Sequence, residues 1–357
     1  KAEADDDDTV ASSISISVKG TNLNIAKELE LCKPFHVTEY HYTPKGILLS
    51  GIIRMIKYGV LLSDGKTIVK VDKEWKTEKL VAEIVRPNSM NNDKQWAIFS
   101  DIIKDRSLIS PSDFFCVFVS HAWAYNFIEI IEILERKYEG NENNIYIWMD
   151  IFSVKQPPNL TDPSWFQKGL HDLIGKCEQG RVVVFDNWKQ PRPTLRSWCV
   201  WEIFGAAKMD KSLDIIMNKR QERSFIDGIN NDFESVLNIL KTIDAQKAKA
   251  FSEDDRKMIE NAVLETIGFN KVNEILIGQL RKWIAEIGMK RFSGLLFPKT
   301  REWLFDDINK WYYSDDNKNN NYIVTLGMRY GKPDINTALR QLEKLAVEKI
   351  IVIPLFP

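Results

Sequence analysis

The run Phe114-Phe115-Cys116-Val117-Phe118-Val119, followed at once by Ser120-His121, decides how this chain is read. Six consecutive apolar residues, aromatic or β-branched apart from Cys116, make a strand covered on both faces rather than a half-solvated one. Downstream, residues 124–138 place Phe127, Ile130, Ile131 and Leu134 at helical spacing. Ile145 to Met149 reads as a second buried strand ending at Asp150, and Trp165 to Cys177 as a helix. Arg181 to Phe185 reads as a third strand, Ser197 to Lys208 as a helix and Leu213 to Met217 as a fourth strand. Strands alternating with helices at this spacing predict βαβ units and a parallel sheet. Ligands of such sheets sit at the carboxyl ends of the strands. Ser120-His121, Asp150 and the loop carrying Asp186 fall there.

Outward from this core the chain changes character. Residues 1–24 open on Asp5 to Asp8 and continue through Ser, Thr and Asn, a composition that predicts a disordered tail. Residues 25–111 suggest a small mixed module, with an apolar run from Gly46 to Val60, a turn at Ser63 to Lys66 and an alternating strand at Thr67 to Val71. The α/β domain occupies 112–217. From 218 to 297, apolar residues recur every three or four positions, predicting an extension of about three helices, with Gly268-Phe269-Asn270 between the last two. Residues 298–321, including the polar run Ser314 to Asn321, read as a linker, and 322–357 as a small C-terminal βαβ fragment. The first residue is Lys, and the last apolar strand lacks following sheet neighbours, which suggests truncated or fused ends.

The 357 residues carry 49 Lys+Arg against 50 Asp+Glu, a balance that gives no basic excess for nucleic-acid binding. No apolar run approaches the roughly 20 residues of a membrane helix. Gly46 to Ile53 and Ile350 to Phe356, the longest, are strand-sized. Four separated cysteines without a CxxC pair read as reduced thiols, and the expected location is cytoplasmic.

Three motifs occur in order: Phe118-Val119-Ser120-His121-Ala122-Trp123, then Trp148-Met149-Asp150, then Arg196-Ser197-Trp198-Cys199-Val200-Trp201-Glu202. With the VVV strand between the last two, they resemble the TIR-like family of protist and algal proteins, in which an FVSHAW strand end precedes a WCxxE helix. The helices after residue 217 resemble the extension those proteins carry. The resemblance covers about residues 112–217 and implies a flavodoxin-like parallel sheet. It implies signalling through self-association or binding to other TIR-like domains, as in the many TIR domains that are non-catalytic adaptors. Some TIR domains are similar to glycohydrolases that cleave the nicotinamide–ribose bond of NAD with the Glu of the WCxxE helix. Glu202 is the matching position, and NAD enters as substrate rather than as cofactor. A carboxylate there would face the oxocarbenium-like charge that develops as nicotinamide leaves. The substrate-binding candidates are Ser120, Trp123, Asp150, Arg196 and Trp198: the two indoles to stack on a flat ring, Arg196 to hold a diphosphate, and Asp150 as a second acid in the same crevice. Trp123 departs from the family pattern, and Ser153 to Pro163 lacks a Gly-rich loop.

Other motifs carry less. Ser120 and His121 are adjacent strand residues, so their side chains point to opposite faces and cannot pair as a hydrolytic dyad. Cys32, His36 and His41 lack the fourth ligand of a zinc finger, and no metal is expected. His171 reads as structural. Lys299 to Phe305 resembles the segment before the nucleotide-binding module of NACHT-type ATPases, but no GxxxxGK[ST] loop follows it. Val324 to Pro333 and Ile350 to Pro357 resemble part of ferrochelatase, an enzyme of haem biosynthesis. No histidine lies beyond His171, so metal insertion from this fragment is not expected.

Overall fold

Alternate residues of the FFCVFV run enter two different hydrophobic cores. In the computed structural model, which describes residues 28–34, 40–157, 164–250, 252–296 and 340, that run contributes the central strand of a five-stranded sheet. The strands in chain order are β1 (Leu29–Glu30), β2 (Ile47–Leu48), β3 (Val60–Leu61), β4 (Ile68–Val69), β5 (Val117–Ser120), β6 (Tyr146–Trp148), β7 (Gly180–Val184) and β8 (Asp214–Ile216). The large sheet runs β2-β6-β5-β7-β8. Its last four strands are parallel, with Val117 opposite both Ile147 and Gly180, and Ser120 opposite Val183. Since β6 and β7 flank β5, the order reverses at β5, the switch point of a flavodoxin-like sheet.

The helices are α1 (Leu49–Tyr58), α2 (Thr77–Leu80), α3 (Arg86–Ser89), α4 (Phe127–Lys137), α5 (Asp150–Ser153), α6 (Ser164–Lys176), α7 (Ser197–Lys208), α8 (Lys219–Asn231), α9 (Phe233–Lys241), α10 (Glu253–Thr266) and α11 (Gly268–Leu296). Val117, Val119, Ile147, Val182 and Val184 face one core, packed by α1, α4 and the segment from α2 to α3. Cys116, Phe118, Trp148, Val183 and Phe185 face the other, packed by α6, α7 and the helices after residue 218. Each of these large side chains contributes about 1.5–3 kcal/mol on burial. The sheet is therefore covered on both sides, as its unbroken apolar strands require.

Local sequence explains most boundaries. Asn126 caps α4 by accepting from the Glu129 N–H at 3.0 Å, and Arg136 and Lys137 occupy its last turn, where cations favour the helix dipole. Gly59 ends α1 at φ +100, where a Cβ would lie 2.8 Å from the Val69 carbonyl oxygen. The expected turn at Ser63 to Lys66 joins the antiparallel pair β3 and β4.

Three features differ from the sequence expectation. The strand-sized run Gly46 to Ile53 is strand only at Ile47–Leu48, because Leu49, Ile52 and Met55 share a helical face and are buried in α1. That short β2 pairs antiparallel with β6, so the segment 25–111 supplies an edge strand of the main sheet and much of one core. Among the described residues the extension holds four helices where about three were expected, since Asp232 caps a new helix by accepting from the Ser235 N–H at 3.2 Å. The tail 1–24, His36 and, apart from residue 340, the segments 298–321 and 322–357 lie outside the described residues. No helix among the described residues is long and apolar enough to cross a membrane.

Candidate functional site

Helix α7 follows β7 and brings one face over the end of β5. Cys199 and Glu202 are three residues apart, hence on the same side of the helix. The Cys199 thiol reaches the His121 carbonyl oxygen at 3.4 Å, and the Ser120 hydroxyl donates to Glu202 Oε2 at 2.5 Å. Ser120 is buried and Glu202 partly buried. Burial pushes the Glu202 carboxyl up to about 8; the Ser120 hydrogen bond opposes that rise and the nearby Asp150 charge adds to it. Among the described residues, the groups that act on it are Ser120 and Asp150. Burial also raises the Cys199 thiol well above its ordinary value, so it packs as a neutral group.

Asp150 begins α5 directly beyond β6. The Trp123 indole N–H donates to its Oδ2 at 2.8 Å, and His121 Nδ1 stands 4.0 Å from its Oδ1. Gln156 Nε2 donates to the Asp150 main-chain oxygen at 2.9 Å, fixing the short turn. His121 is 5% exposed, and burial depresses its pKa against the opposing pull of Asp150, so the imidazole is neutral. The buried atoms His121 Nε2 and Asp150 Oδ1 have no hydrogen-bond partner among the described residues.

The structure thus gathers Ser120, Trp123, Asp150 and Glu202 around the carboxyl ends of β5 and β6. Trp198 goes elsewhere: it packs on the helical core and its indole N–H points to Asp255 Oδ2 at 3.4 Å. Arg196 precedes α7, where its neighbours pair with the extension: the Ser197 N–H donates to the Lys249 oxygen at 3.1 Å, and the Lys249 N–H to the Leu195 oxygen at 2.9 Å. The positive charge of Arg196 reaches Cys199. Two cavities of about 20 and 10 Å³ on the helical face are at most water-sized, and neither is lined by Ser120, Asp150 or Glu202.

The reading of Ser120 and His121 as unable to pair agrees with this geometry, since each has a different carboxylate as its neighbour. Sequence reasoning passed over His121 as a neighbour of Asp150. His121 and Trp123 lie two residues apart in the chain, but only the pairing of β5 with β6 brings both to Asp150. His171 is buried against α7, with its ring tilted against Trp201 at 4.3 Å between centroids and Nε2 3.1 Å from the Trp201 oxygen. Cys32 donates to the Ile102 oxygen at 3.3 Å, and the described residues contain no cluster of three or more metal-ligating side chains.

No family model and no solved structure matches the chain. Among curated proteins it is similar, over short stretches, to ferrochelatases. That of Coxiella burnetii (strain Dugway 5J108-111) is 56% identical over 36 residues, 10% of each chain. That of Actinobacillus pleuropneumoniae serotype 5b (strain L20) is 52% identical over 40 residues, 11% of this chain and 12% of that one. The chain spans about a tenth of the length of the curated relatives it matches.

Proposed function

We propose that this chain is a TIR-like signalling protein that acts by self-association and cleaves the nicotinamide–ribose bond of NAD with Glu202. The observation that carries this reading is the Ser120–Glu202 hydrogen bond of 2.5 Å at the carboxyl end of the switch-point strand. In the reaction the bond between ribose C1′ and the pyridinium nitrogen breaks. Its electron pair stays on nitrogen, and nicotinamide leaves uncharged. Water adds to C1′ and gives up a proton, leaving ADP-ribose. Glu202 acts as the carboxylate that stabilises positive charge building on C1′, and the Ser120 hydroxyl aims it. The working form is ionised, so kcat/KM of the free enzyme rises with pH toward a plateau above about 8.

Incubating the 357-residue chain with NAD at high protein concentration and measuring released nicotinamide tests the reading. Turnover should fall by roughly 100-fold or more in Glu202→Gln and by about tenfold in Ser120→Ala. Absence of turnover in the concentrated wild-type protein would leave a non-catalytic interaction module as the better account. A third reading, a ferrochelatase-like fusion, draws on the short matches alone, and porphyrin-dependent quenching of tryptophan emission would favour it.

A further inference from the structure

Cys116 and Cys177 are 61 positions apart in the chain, yet their sulfurs stand 3.7 Å from one another. Cys116 leads into β5 and Cys177 directly follows α6, so the pair lies at the end of the sheet opposite Ser120, Asp150 and Glu202. Their main chains are tied together. The Glu178 N–H donates to the Phe114 oxygen at 2.9 Å, the Gln179 N–H donates to the Cys116 oxygen at 3.1 Å, and Val117 pairs with Gly180. Arg181 of β7 holds the end of α6 in addition, donating to the Gly175 oxygen at 2.8 Å and to the Cys177 oxygen at 2.7 Å. The two thiols therefore meet on fixed backbone. A disulfide sets its sulfurs about 2 Å apart, so each has to move by less than about 1 Å to bond. All four cysteines are free thiols, but Cys32 and Cys199 donate to main-chain oxygens, those of Ile102 at 3.3 Å and His121 at 3.4 Å.

We propose that Cys116 and Cys177 form a reversible disulfide when a peroxide oxidises the folded chain, tethering the end of α6 to the central strand. In the first step the Cys177 thiolate attacks one peroxide oxygen, the O–O bond breaks, and the departing hydroxide takes up a proton to become water. Cys116 then attacks the sulfur of the resulting sulfenic acid; the S–O bond breaks, and the hydroxide released leaves with the Cys116 proton as a second water. The two thiols give up two electrons in all, and the peroxide is reduced to two waters. Burial raises the Cys116 thiol above its ordinary value, which places the first attack on Cys177. Both residues are buried, at 0% and 2% exposure, so the reaction requires a small oxidant and is slow beside that of an exposed thiol. The bond encloses the chain from β5 to α6, and α6 packs on α7, the helix of Glu202, where His171 meets Gly205. The proposal is independent of the NAD reading.

The test oxidises the folded 357-residue chain with hydrogen peroxide, alkylates the remaining thiols and maps the peptides by mass spectrometry. A peptide pair joined through Cys116 and Cys177, lighter by two hydrogens and separated again by dithiothreitol, is the expected result. The linked protein should run faster on a non-reducing gel and melt several degrees higher than the reduced one. Cys177→Ala should abolish the fast-running species. The mapping uses the wild-type chain and stands even if that variant fails to fold. Oxidation that leaves Cys116 alkylatable while the protein stays folded, that joins Cys32 between chains instead, or that links Cys116 to Cys177 only after denaturation would overturn the proposal.

Discussion

Glu202 ties folding to pH through a single side chain. Its carboxyl titrates near 8 in the folded chain and near 4.5 when unfolded, so the folded state binds the extra proton between those values. Stability therefore falls as pH rises from about 5 to 8 and levels off above that. The part of this loss that belongs to Glu202 is on the order of 2 kcal/mol after allowing for its partial exposure. Glu202→Gln should remove that slope, so thermal melts of variant and wild type should converge near pH 5 and separate near pH 9, the variant melting higher. Curves that stay parallel across this range would contradict a carboxyl raised by burial. The same residue shows how far sequence reaches. The WCxxE spacing singled out Glu202, but its hydrogen bond to Ser120 depends on two residues 82 positions apart.

At the scale of elements, α7 is held from two sides. On one, Gly205 lets α6 approach so closely that a Cβ there would overlap the His171 ring at Cδ2. Gly205→Ala should therefore cost about 1–3 kcal/mol by overpacking, and combining it with His171→Ala should recover part of the loss. Chemical denaturation of the two single variants and the double variant reads this directly. On the other side, Ser197 Oγ donates to the Ala248 oxygen at 3.0 Å, and the main chains of residues 195–197 and 249 pair. The extension thus substitutes for an N-cap that α7 lacks. Trp198, expected to stack on a ligand, packs into this junction instead. Its position in the motif marks the helix but does not say which face of the helix meets the crevice.

For the whole molecule, two cores share one sheet, and each draws on chain outside residues 112–217. Phe185 and Trp188 of the α/β domain meet Phe225 and Trp283 of the extension, with Phe225 stacked on Trp283 at 4.5 Å. Leu29, Leu80 and Ile102 close the opposite core. A fragment limited to residues 112–217 should therefore expose both faces of the sheet. It should bind a hydrophobic dye and lack a cooperative melt, whereas a chain of residues 25–296 should melt cooperatively. A sharp transition in the short fragment would show that the flanking segments are accessories rather than parts of the core.

Local pattern determined the parallel strands, their helices and the order of the motifs. Apolar periodicity and capping residues act over a few positions, so Val117 to Ser120, the whole of α7 and the hairpin turn near Asp64 were legible without coordinates. Only the tertiary structure decided that Ile47–Leu48 joins the sheet as an antiparallel edge, that Trp198 turns toward Asp255, and that His121 shares Asp150 with Trp123. Each of those outcomes depends on what lies across a gap of many residues. A two-residue strand has too little period to read, and an indole at a helix start can serve either face until a neighbour is packed against one of them.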